Sequence, residues 1–307
     1  MKIFLIVLLI LLLLVPLILG FYLVISNGFY KKYFTKKSKF LKKLNEKNKL
    51  ENGKENQKQE GKASIFSDFK EIKINRDDAD LFGYYKDNGF SKIVILLHSF
   101  GGSHENLSLI SSFFLQENFD ILALDMRGHG KSGGEISFGQ EEEKDLLLWI
   151  EKILTFKENY KVAIFGVGLG GTSGLLSLPK LPQNVRLVIS ESGFDNAKKE
   201  LSFLLSETKV KPDKKLFYKF LKQTKNLDLK NLDAVESLKK AKLPVMLIHD
   251  EEDEVVPIEM AYELQKALPP FNKNLFIAKG AGHGKGIVTQ PFQFKMNLSK
   301  ALKNCGL

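Results

Sequence analysis

A glycine-rich turn at residues 166–170 has the spacing of a nucleophile elbow but carries no nucleophile. In the G-x-S-x-G pattern of such an elbow, the serine stands on a sharp strand-to-helix turn at the top of a parallel sheet. Here Gly166 and Gly170 hold the flanking positions, and Gly168 stands where the pattern has serine. Because glycine has no side chain, Gly168 itself cannot attack a carbonyl carbon or form an acyl-enzyme.

A phosphate-binding loop is the alternative interpretation of this turn, since glycine-rich turns before a helix also bind phosphate. The turn lacks the Lys-Ser/Thr pair of a P-loop, and it lacks the first-strand position and acidic partner of a dinucleotide site. Cys305 is the only cysteine, and the five histidines form no H-x3-H or H-E-x-x-H pair. We therefore expect no cofactor and no metal.

The elements around the turn alternate between strand-like and helix-like segments, which predicts a mostly parallel sheet with helices on both faces. The predicted strands are residues 69–75, 81–85, 92–98, 120–125, 161–167, 185–190, 245–249 and 275–278, the first two forming a hairpin. Helices are predicted at residues 104–117, 140–156, 258–268 and 291–303, and directly after the glycine turn. The block 194–242 breaks the alternation and predicts two or three inserted helices, which we interpret as a lid.

The net charge of +10 is concentrated near the N-terminus. Residues 31–62 hold 12 Lys and 4 Glu, whereas residues 63–307 hold 33 basic and 32 acidic residues. A balanced globular part has no bulk field to attract a polyanion, so we expect no nucleic-acid partner.

Residues 3–25 form an uninterrupted run of 23 residues without a charge. At about 1.5 Å per residue this run can cross a hydrocarbon core of about 30 Å. It is longer than the apolar region of a usual signal peptide, and no small-x-small cleavage site follows it. We therefore predict a single-pass anchor at residues 1–30, a Lys-rich linker at 31–62 and a domain at 63–307. Lysines after the span outnumber Lys2 before it, which favours a cytoplasmic domain and a linker that contacts anionic headgroups.

Four further motifs accompany the glycine turn, in the order His98–Gly102, Asp125–Gly134, Ile248–Pro257 and Gly280–Gly284. Together they resemble the α/β-hydrolase superfamily, and most of all its membrane-anchored, serine-aminopeptidase-like and monoacylglycerol-lipase-like branch. The resemblance covers about residues 66–302 and implies the α/β-hydrolase fold. The sequence departs from the family pattern at the elbow and in its first motif, where Ser99 replaces the glycine of a His-Gly pair.

The resemblance also implies roles for individual residues. Asp253, four residues before Pro257, corresponds to the acid that orients the histidine, and His283 corresponds to the base. The backbone N–H groups of Phe100 and Leu169 correspond to the oxyanion donors. His129 lies in a turn that is structural in the family, so we do not expect it to act as a base.

Two functions stay open. The first, which we favour, is a pseudohydrolase that binds an acyl or peptide ligand, or a protein partner, without triad chemistry. The second is an active carboxylic-ester, thioester or amide hydrolase that uses a His283-activated water or another nucleophile. Ser99 is not expected to serve, because its side chain has no reason to point along the line of attack, and Thr172 and Ser173 lie about a helical turn away.

A one-base codon change or a sequence error at position 168 is a third explanation. If the site is otherwise intact, Gly168→Ser is expected to lower stability and to restore esterase activity, because a non-glycine residue is strained at an elbow.

Overall fold

The computed structural model describes residues 2–36, 38–40, 43, 64–76, 79–208, 211–269 and 274–307. Most of the linker predicted at residues 31–62 therefore lies outside the described residues.

An eight-stranded sheet with the order β1-β2-β4-β3-β5-β6-β7-β8 forms the centre of the protein. The strands are β1 (Lys70–Arg76), β2 (Ala79–Lys86), β3 (Lys92–Leu97), β4 (Asp120–Asp125), β5 (Lys161–Val167), β6 (Val185–Glu191), β7 (Val245–Asp250) and β8 (Asn274–Ala278). β2 pairs antiparallel with β1 and with β4, and every other pair is parallel. The predicted hairpin and the mostly parallel sheet are both confirmed.

Ten α-helices lie in the described part of the chain. They are α1 (Lys2–Tyr33), α2 (Ser108–Gln116), α3 (Gln140–Leu154), α4 (Leu169–Ser177), α5 (Ala197–Ser206), α6 (Lys214–Thr224), α7 (Ala234–Leu238), α8 (Ile258–Ala267), α9 (Gly286–Thr289) and α10 (Pro291–Asn304). The helix predicted at 104–117 begins as a 3-10 turn, His104–Leu107, before α2. The sequence did not predict α9, because four residues are too few to show a helical period.

The central strands are buried on both faces, which explains their continuous apolar sequences. Successive side chains of a strand point to opposite faces, so Ile95 belongs to one core and its neighbour Leu96 to the other. The first core includes α3, α4 and the helices inserted after β6, and the second includes α2 and α10. The helices thus cover both faces of the sheet, as predicted.

Three helices, α5 to α7, occupy the block 194–242 between β6 and β7. Asn196 directly precedes α5 and Asp213 directly precedes α6, and each side chain accepts hydrogen bonding from the first turn: two N–H groups for Asn196 and one for Asp213. Phe217 and Phe220 of α6 are buried and belong to the first core. The inserted helices therefore pack on the same face of the sheet as the glycine turn.

Helix α1 contains a segment, Leu12–Tyr33, of 22 residues with a mean hydropathy of 2.1. By length and composition this segment fits a membrane anchor or a signal sequence. Its apolar side chains are exposed as far as Ile25, except that of the half-buried Tyr22, whereas Phe29 and Tyr30 near its end are buried against the globular domain.

Candidate active site

The glycine turn has the backbone geometry of a nucleophile elbow. Gly168 is the single residue between β5 and α4, with φ of 54° and ψ of −115°. A Cβ atom on Gly166 would collide with the backbone of Gly170, and one on Gly170 would collide with the carbonyl group of Leu97. The flanking glycines are therefore required for the close approach of α4 to the strands.

The predicted acid and base lie beside this turn and contact each other. Asp253 follows β7 and His283 follows β8, and Oδ2 of Asp253 lies 2.8 Å from Nδ1 of His283. The other carboxylate oxygen of Asp253 accepts the N–H groups of Val255 and Val256, each at 2.8 Å. The acid is thus held in one orientation, and Nε2 of His283 is left to face the elbow.

The environment sets the charge of the pair. Burial would raise the pKa of Asp253, but the charge and hydrogen bond of His283, with that of the Val256 N–H, outweigh burial and lower it. For His283 burial would lower the pKa, but the Asp253 carboxylate outweighs this effect and raises it. His283 is therefore a stronger base than an ordinary histidine.

Asp250, another carboxylate of the acidic loop, supports the histidine from behind. Its Oδ2 accepts the N–H of Gly284 at 2.7 Å and the hydroxyl of Ser192 at 2.9 Å. Burial, together with the nearby charge of Asp253, raises the pKa of Asp250 to about 6. Asp253 thus contacts His283, as the resemblance implied, and Asp250 fixes the loop that carries His283.

Ser99 contacts the ring nitrogen of His283 that faces the elbow. Oγ of Ser99 lies 2.6 Å from Nε2 of His283. This contact was not expected from the sequence. A Cβ atom on Gly168 would collide with the same Oγ and would lie 2.9 Å from Nε2 of His283. The Ser99 hydroxyl fills the space that a serine at position 168 would use.

The sheet explains how a residue in another loop reaches this position. β3 and β5 are neighbours, and Leu97 pairs in register with Gly166. Ser99 and Gly168 each follow two residues later, so both lie at the same edge of the sheet, where parallel strands end together. The sequence did contain a signal for this arrangement. The serine expected at position 168 is missing, and an unexpected serine stands at position 99. Each position lies two residues after a residue of the Leu97–Gly166 pair on adjacent strands.

Two buried histidines fix the loop that carries Ser99. Nε2 of His98 accepts the N–H of Met126 at 2.9 Å, so the proton is on Nδ1, which donates to the carbonyl of Ser99 at 2.7 Å. Nε2 of His129 accepts the N–H of Gly101 at 3.0 Å, and its Nδ1 donates to the carbonyl of Arg127 at 2.8 Å. Each histidine thus clamps one side of the loop.

These two histidines act as neutral groups. Burial lowers the pKa of His98, and burial together with the neighbouring His98 lowers that of His129 to about 3. A neutral imidazole is required at both positions because one ring nitrogen must accept a backbone N–H. His129 therefore has the structural role that the sequence suggested.

The hydroxyl groups of Thr172 and Ser173, which follow the elbow in the chain, are engaged elsewhere. Thr172 exchanges hydrogen bonds with the backbone of Phe194, and Ser173 donates to the carbonyl of Leu169 at 2.7 Å. Both side chains are fully buried within α4. Neither presents an oxygen to His283.

A pocket opens beside Ser99, Gly168 and His283. Its remaining lining is mainly apolar and consists of Phe100, Phe138, Leu169, Phe194, Leu204, Val255 and Val256, with the buried Glu200. The inserted helix α5 supplies Leu204 and Glu200, so the insertion closes one side of the pocket. An apolar cleft with few polar groups is typical of a site for an acyl chain or another apolar group.

The predicted oxyanion donors also line this pocket. Among the described residues, no acceptor takes the backbone N–H of Phe100 or of Leu169. Leu169 is the first residue of α4, where the N–H groups of a helix have no partner within the helix. Both amides are therefore available to an oxygen bound next to Ser99.

Comparison with known proteins gives the same picture of the fold. The family model described as serine aminopeptidase, S33, matches residues 90–234, slightly less than half of the chain. The uncharacterized protein YqkD of Bacillus subtilis (strain 168) is 23% identical over 233 residues, covering 73% of this chain and 76% of YqkD.

Solved structures of two hydrolases are similar to the protein. The esterase Pf2001 of Pyrococcus furiosus matches with a TM-score of 0.62 and 24% identity, over 78% of this chain and 91% of the esterase. The acylaminoacyl peptidase of Pyrococcus horikoshii matches with a TM-score of 0.58 and 18% identity, over 78% of this chain but 41% of the peptidase. The chain thus has the α/β-hydrolase fold.

Proposed function

We propose that the protein is an active serine hydrolase of carboxylic esters or related acyl compounds, and that Ser99 is its nucleophile. The observation that carries this proposal is the 2.6 Å distance between Oγ of Ser99 and Nε2 of His283, whose other ring nitrogen contacts Asp253. A hydroxyl, an imidazole and a carboxylate in this sequence of contacts form a catalytic triad, which is recognised by geometry and not by sequence position. The pseudohydrolase interpretation rested on the absence of an attacking oxygen, and Ser99 supplies one.

The reaction would begin with transfer of the Ser99 proton to Nε2 of His283 while Oγ attacks the substrate carbonyl carbon. The carbonyl oxygen becomes negatively charged and accepts hydrogen bonds from the N–H groups of Phe100 and Leu169. Collapse of this intermediate breaks the bond to the leaving group, which takes the proton from His283. A water then attacks the acyl-enzyme in the same way, and releases the carboxylic acid and the free Ser99 hydroxyl.

Asp253 has a supporting part in both steps. Its carboxylate accepts a hydrogen bond from Nδ1 of His283, so it fixes the tautomer in which Nε2 is the base. Its negative charge also stabilises the imidazolium that forms when Nε2 takes the proton.

The lining of the pocket favours an acyl compound as substrate. Phe138, Phe194 and Leu204 offer an apolar surface beside the nucleophile, which suits a hydrocarbon chain better than a peptide backbone with its many polar groups. The similar Pyrococcus furiosus protein is an esterase, and ester substrates suit an apolar pocket. Esters are therefore the first class of substrate to test.

We propose further that α1 remains attached as a membrane anchor and that the domain is cytoplasmic. The end of α1 is part of the domain, with Tyr30 buried and its hydroxyl donating to the carbonyl of Ile136 at 3.2 Å. A cleaved signal sequence would not be expected to complete the fold of the mature protein. The lysines that follow the span support a cytoplasmic location.

A fluorophosphonate probe tests the proposal, because it forms a covalent adduct with an activated serine. The full chain in detergent should be labelled, mass spectrometry of its peptides should place the adduct on Ser99, and Ser99→Ala should not be labelled. Ser112→Ala, whose hydroxyl bonds within α2, is the matched control and should be labelled like the unaltered protein.

The other functions predict different results. Turnover of a p-nitrophenyl ester without labelling, retained in Ser99→Ala and lost in His283→Ala, would indicate a water activated by His283. Absence of both labelling and turnover, with ligand binding preserved, would indicate a pseudohydrolase.

A further inference from the structure

Helix α1 has two parts with different surroundings. From Leu12 to Ile25 its large apolar side chains, except that of Tyr22, are exposed, with 64% of Leu12 and 51% of Ile25 accessible. Tyr22 is half-buried against the first core. From Ser26 onward one side of the helix is buried in the globular domain. If the exposed part lies in a bilayer, the membrane surface is near Ser26, and the last two turns of α1 stand directly on it.

Aromatic contacts connect these last turns to the inserted helices and to the pocket. The ring of Phe29 packs on Phe217 of α6 with a centroid distance of 5.3 Å. Phe34, the residue after α1, is fully buried and packs on Phe138 at 5.7 Å and on Phe100 at 6.4 Å. Because Phe100 and Phe138 line the pocket, the end of the anchor supports the pocket wall.

Position along α1 sets the distance between the pocket and the membrane. Phe34 lies nine positions after Ile25, and at about 1.5 Å per helical position this is a rise of about 14 Å. Helix α6 packs against the same turns through Phe217. Both α6 and the pocket wall therefore lie within about 14 Å of the bilayer surface, counted along the helix axis.

The free face of α6 is basic. Lys214, Lys215 and Lys219 are exposed, and among the described residues none of them lies within ion-pair distance of a carboxylate. Leu216 next to them is exposed by 47%, although α6 buries its other large apolar residues. An amphipathic helix with lysines and an exposed leucine has the composition of helices that lie in a membrane interface.

We propose that α6 docks on an anionic bilayer surface, with its lysines on the lipid headgroups and the end of α1 holding it there. The charge of the three lysines is complementary to such a surface, and α1 brings α6 to it. The pocket behind α6 then takes its substrate, a long-chain acyl ester, from the bilayer and not from solution. This consequence rests on the proposed hydrolase function, whereas the docking itself does not.

Proteoliposomes of the full chain test the docking. Lys215→Glu combined with Lys219→Glu should lower hydrolysis of a long-chain acyl ester embedded in phosphatidylserine-containing vesicles by about tenfold, since each lysine contributes to the attraction. Hydrolysis of a soluble short-chain p-nitrophenyl ester should be unchanged. The matched control is Lys295→Glu with Lys300→Glu on α10, which packs on the opposite face of the sheet and should change neither rate.

Equal losses on both substrates, or no loss on either, would overturn the proposal. A second measurement is independent of catalysis: Leu216→Cys in a Cys305→Ser background, labelled with an environment-sensitive fluorophore. Its emission should shift to the blue in phosphatidylserine vesicles and return in high salt, compared with vesicles of phosphatidylcholine alone. An identical emission in both lipids would refute docking, even if the protein hydrolyses esters. A lipid-dependent shift without turnover would retain docking and reject the hydrolase function.

Discussion

Exchange of the residues at positions 99 and 168 directly tests the proposal that Ser99 is the nucleophile in place of a serine at position 168. Ser99→Gly combined with Gly168→Ser creates the usual His-Gly loop and the usual elbow. The serine next to His283 then stands at position 168 and not at position 99. We expect Ser99→Ala to lower kcat by on the order of a million-fold, as removal of a triad serine does elsewhere. The exchanged double variant should recover a large part of this loss, because its hydroxyl lies in the space that Ser99 vacates.

Gly168→Ser alone should give a different result. Its Cβ atom would collide with Oγ of Ser99, so that hydroxyl must rotate away and lose its hydrogen bond to His283. The positive φ of Gly168 adds backbone strain of about 1–3 kcal/mol for any residue with a side chain. Since about 1 kcal/mol lowers Tm by about 2–4 °C in a domain of 150–250 residues, strain alone should lower Tm by about 2–12 °C. In the exchanged variant the collision is gone, so its Tm should lie between those of Gly168→Ser and the unaltered protein.

The assay combines three measurements on the same proteins. Turnover of p-nitrophenyl butyrate gives activity, the labelled peptide from a fluorophosphonate reaction identifies the nucleophile, and thermal unfolding gives stability. Gly168→Ala is the control, because it carries the strain and the collision but no hydroxyl. The reasoning is refuted if Ser99→Ala keeps its turnover and labelling, or if Gly168→Ala unfolds at the same temperature as the unaltered protein.

Three further predictions concern the groups around Ser99. Because the pKa of His283 is raised and Nε2 must be unprotonated to act, kcat/KM should fall as the pH is lowered through a value above the ordinary 6.5, in a pH profile of ester hydrolysis. Asp253→Asn should lower kcat by about ten thousand-fold and move this midpoint to lower pH, without changing the secondary structure seen by circular dichroism. His129→Phe leaves the N–H of Gly101 without its acceptor and should cost about 1–3 kcal/mol in urea unfolding, whereas His129→Gln, which keeps an acceptor, should cost less.

The sequence predicted most of the sheet because its central strands are continuous apolar segments that alternate with helical segments. Residues 120–125 and 161–167 have the same bounds in the sequence prediction and in the structure. These strands depend on local patterns, which a single sequence displays directly. The pairing of Asp253 with His283 was instead implied by the resemblance to the α/β-hydrolases, through the order of the motifs and the register against Pro257.

The position of Ser99 was not anticipated because it depends on the lateral order of the strands. β3 and β5 are separated in the chain by β4, α2 and α3, yet they are neighbours in the sheet. Only that neighbourhood brings residues 99 and 168 together. The burial of Phe29 and Phe34 was missed for a similar reason, because an apolar run at the end of a long apolar helix gives no sign of which residues pack on the globular domain.

The burial of Phe34 also affects how the protein can be produced. Removing everything before residue 63 would remove the long apolar helix, but it would also uncover the rings of Phe100 and Phe138 beside the candidate site. Such a fragment would expose an apolar surface through which its copies could associate, and it would lose the residues that support one wall of the pocket. Purification in detergent, with the N-terminal helix retained, is the preparation in which the native cleft stays complete.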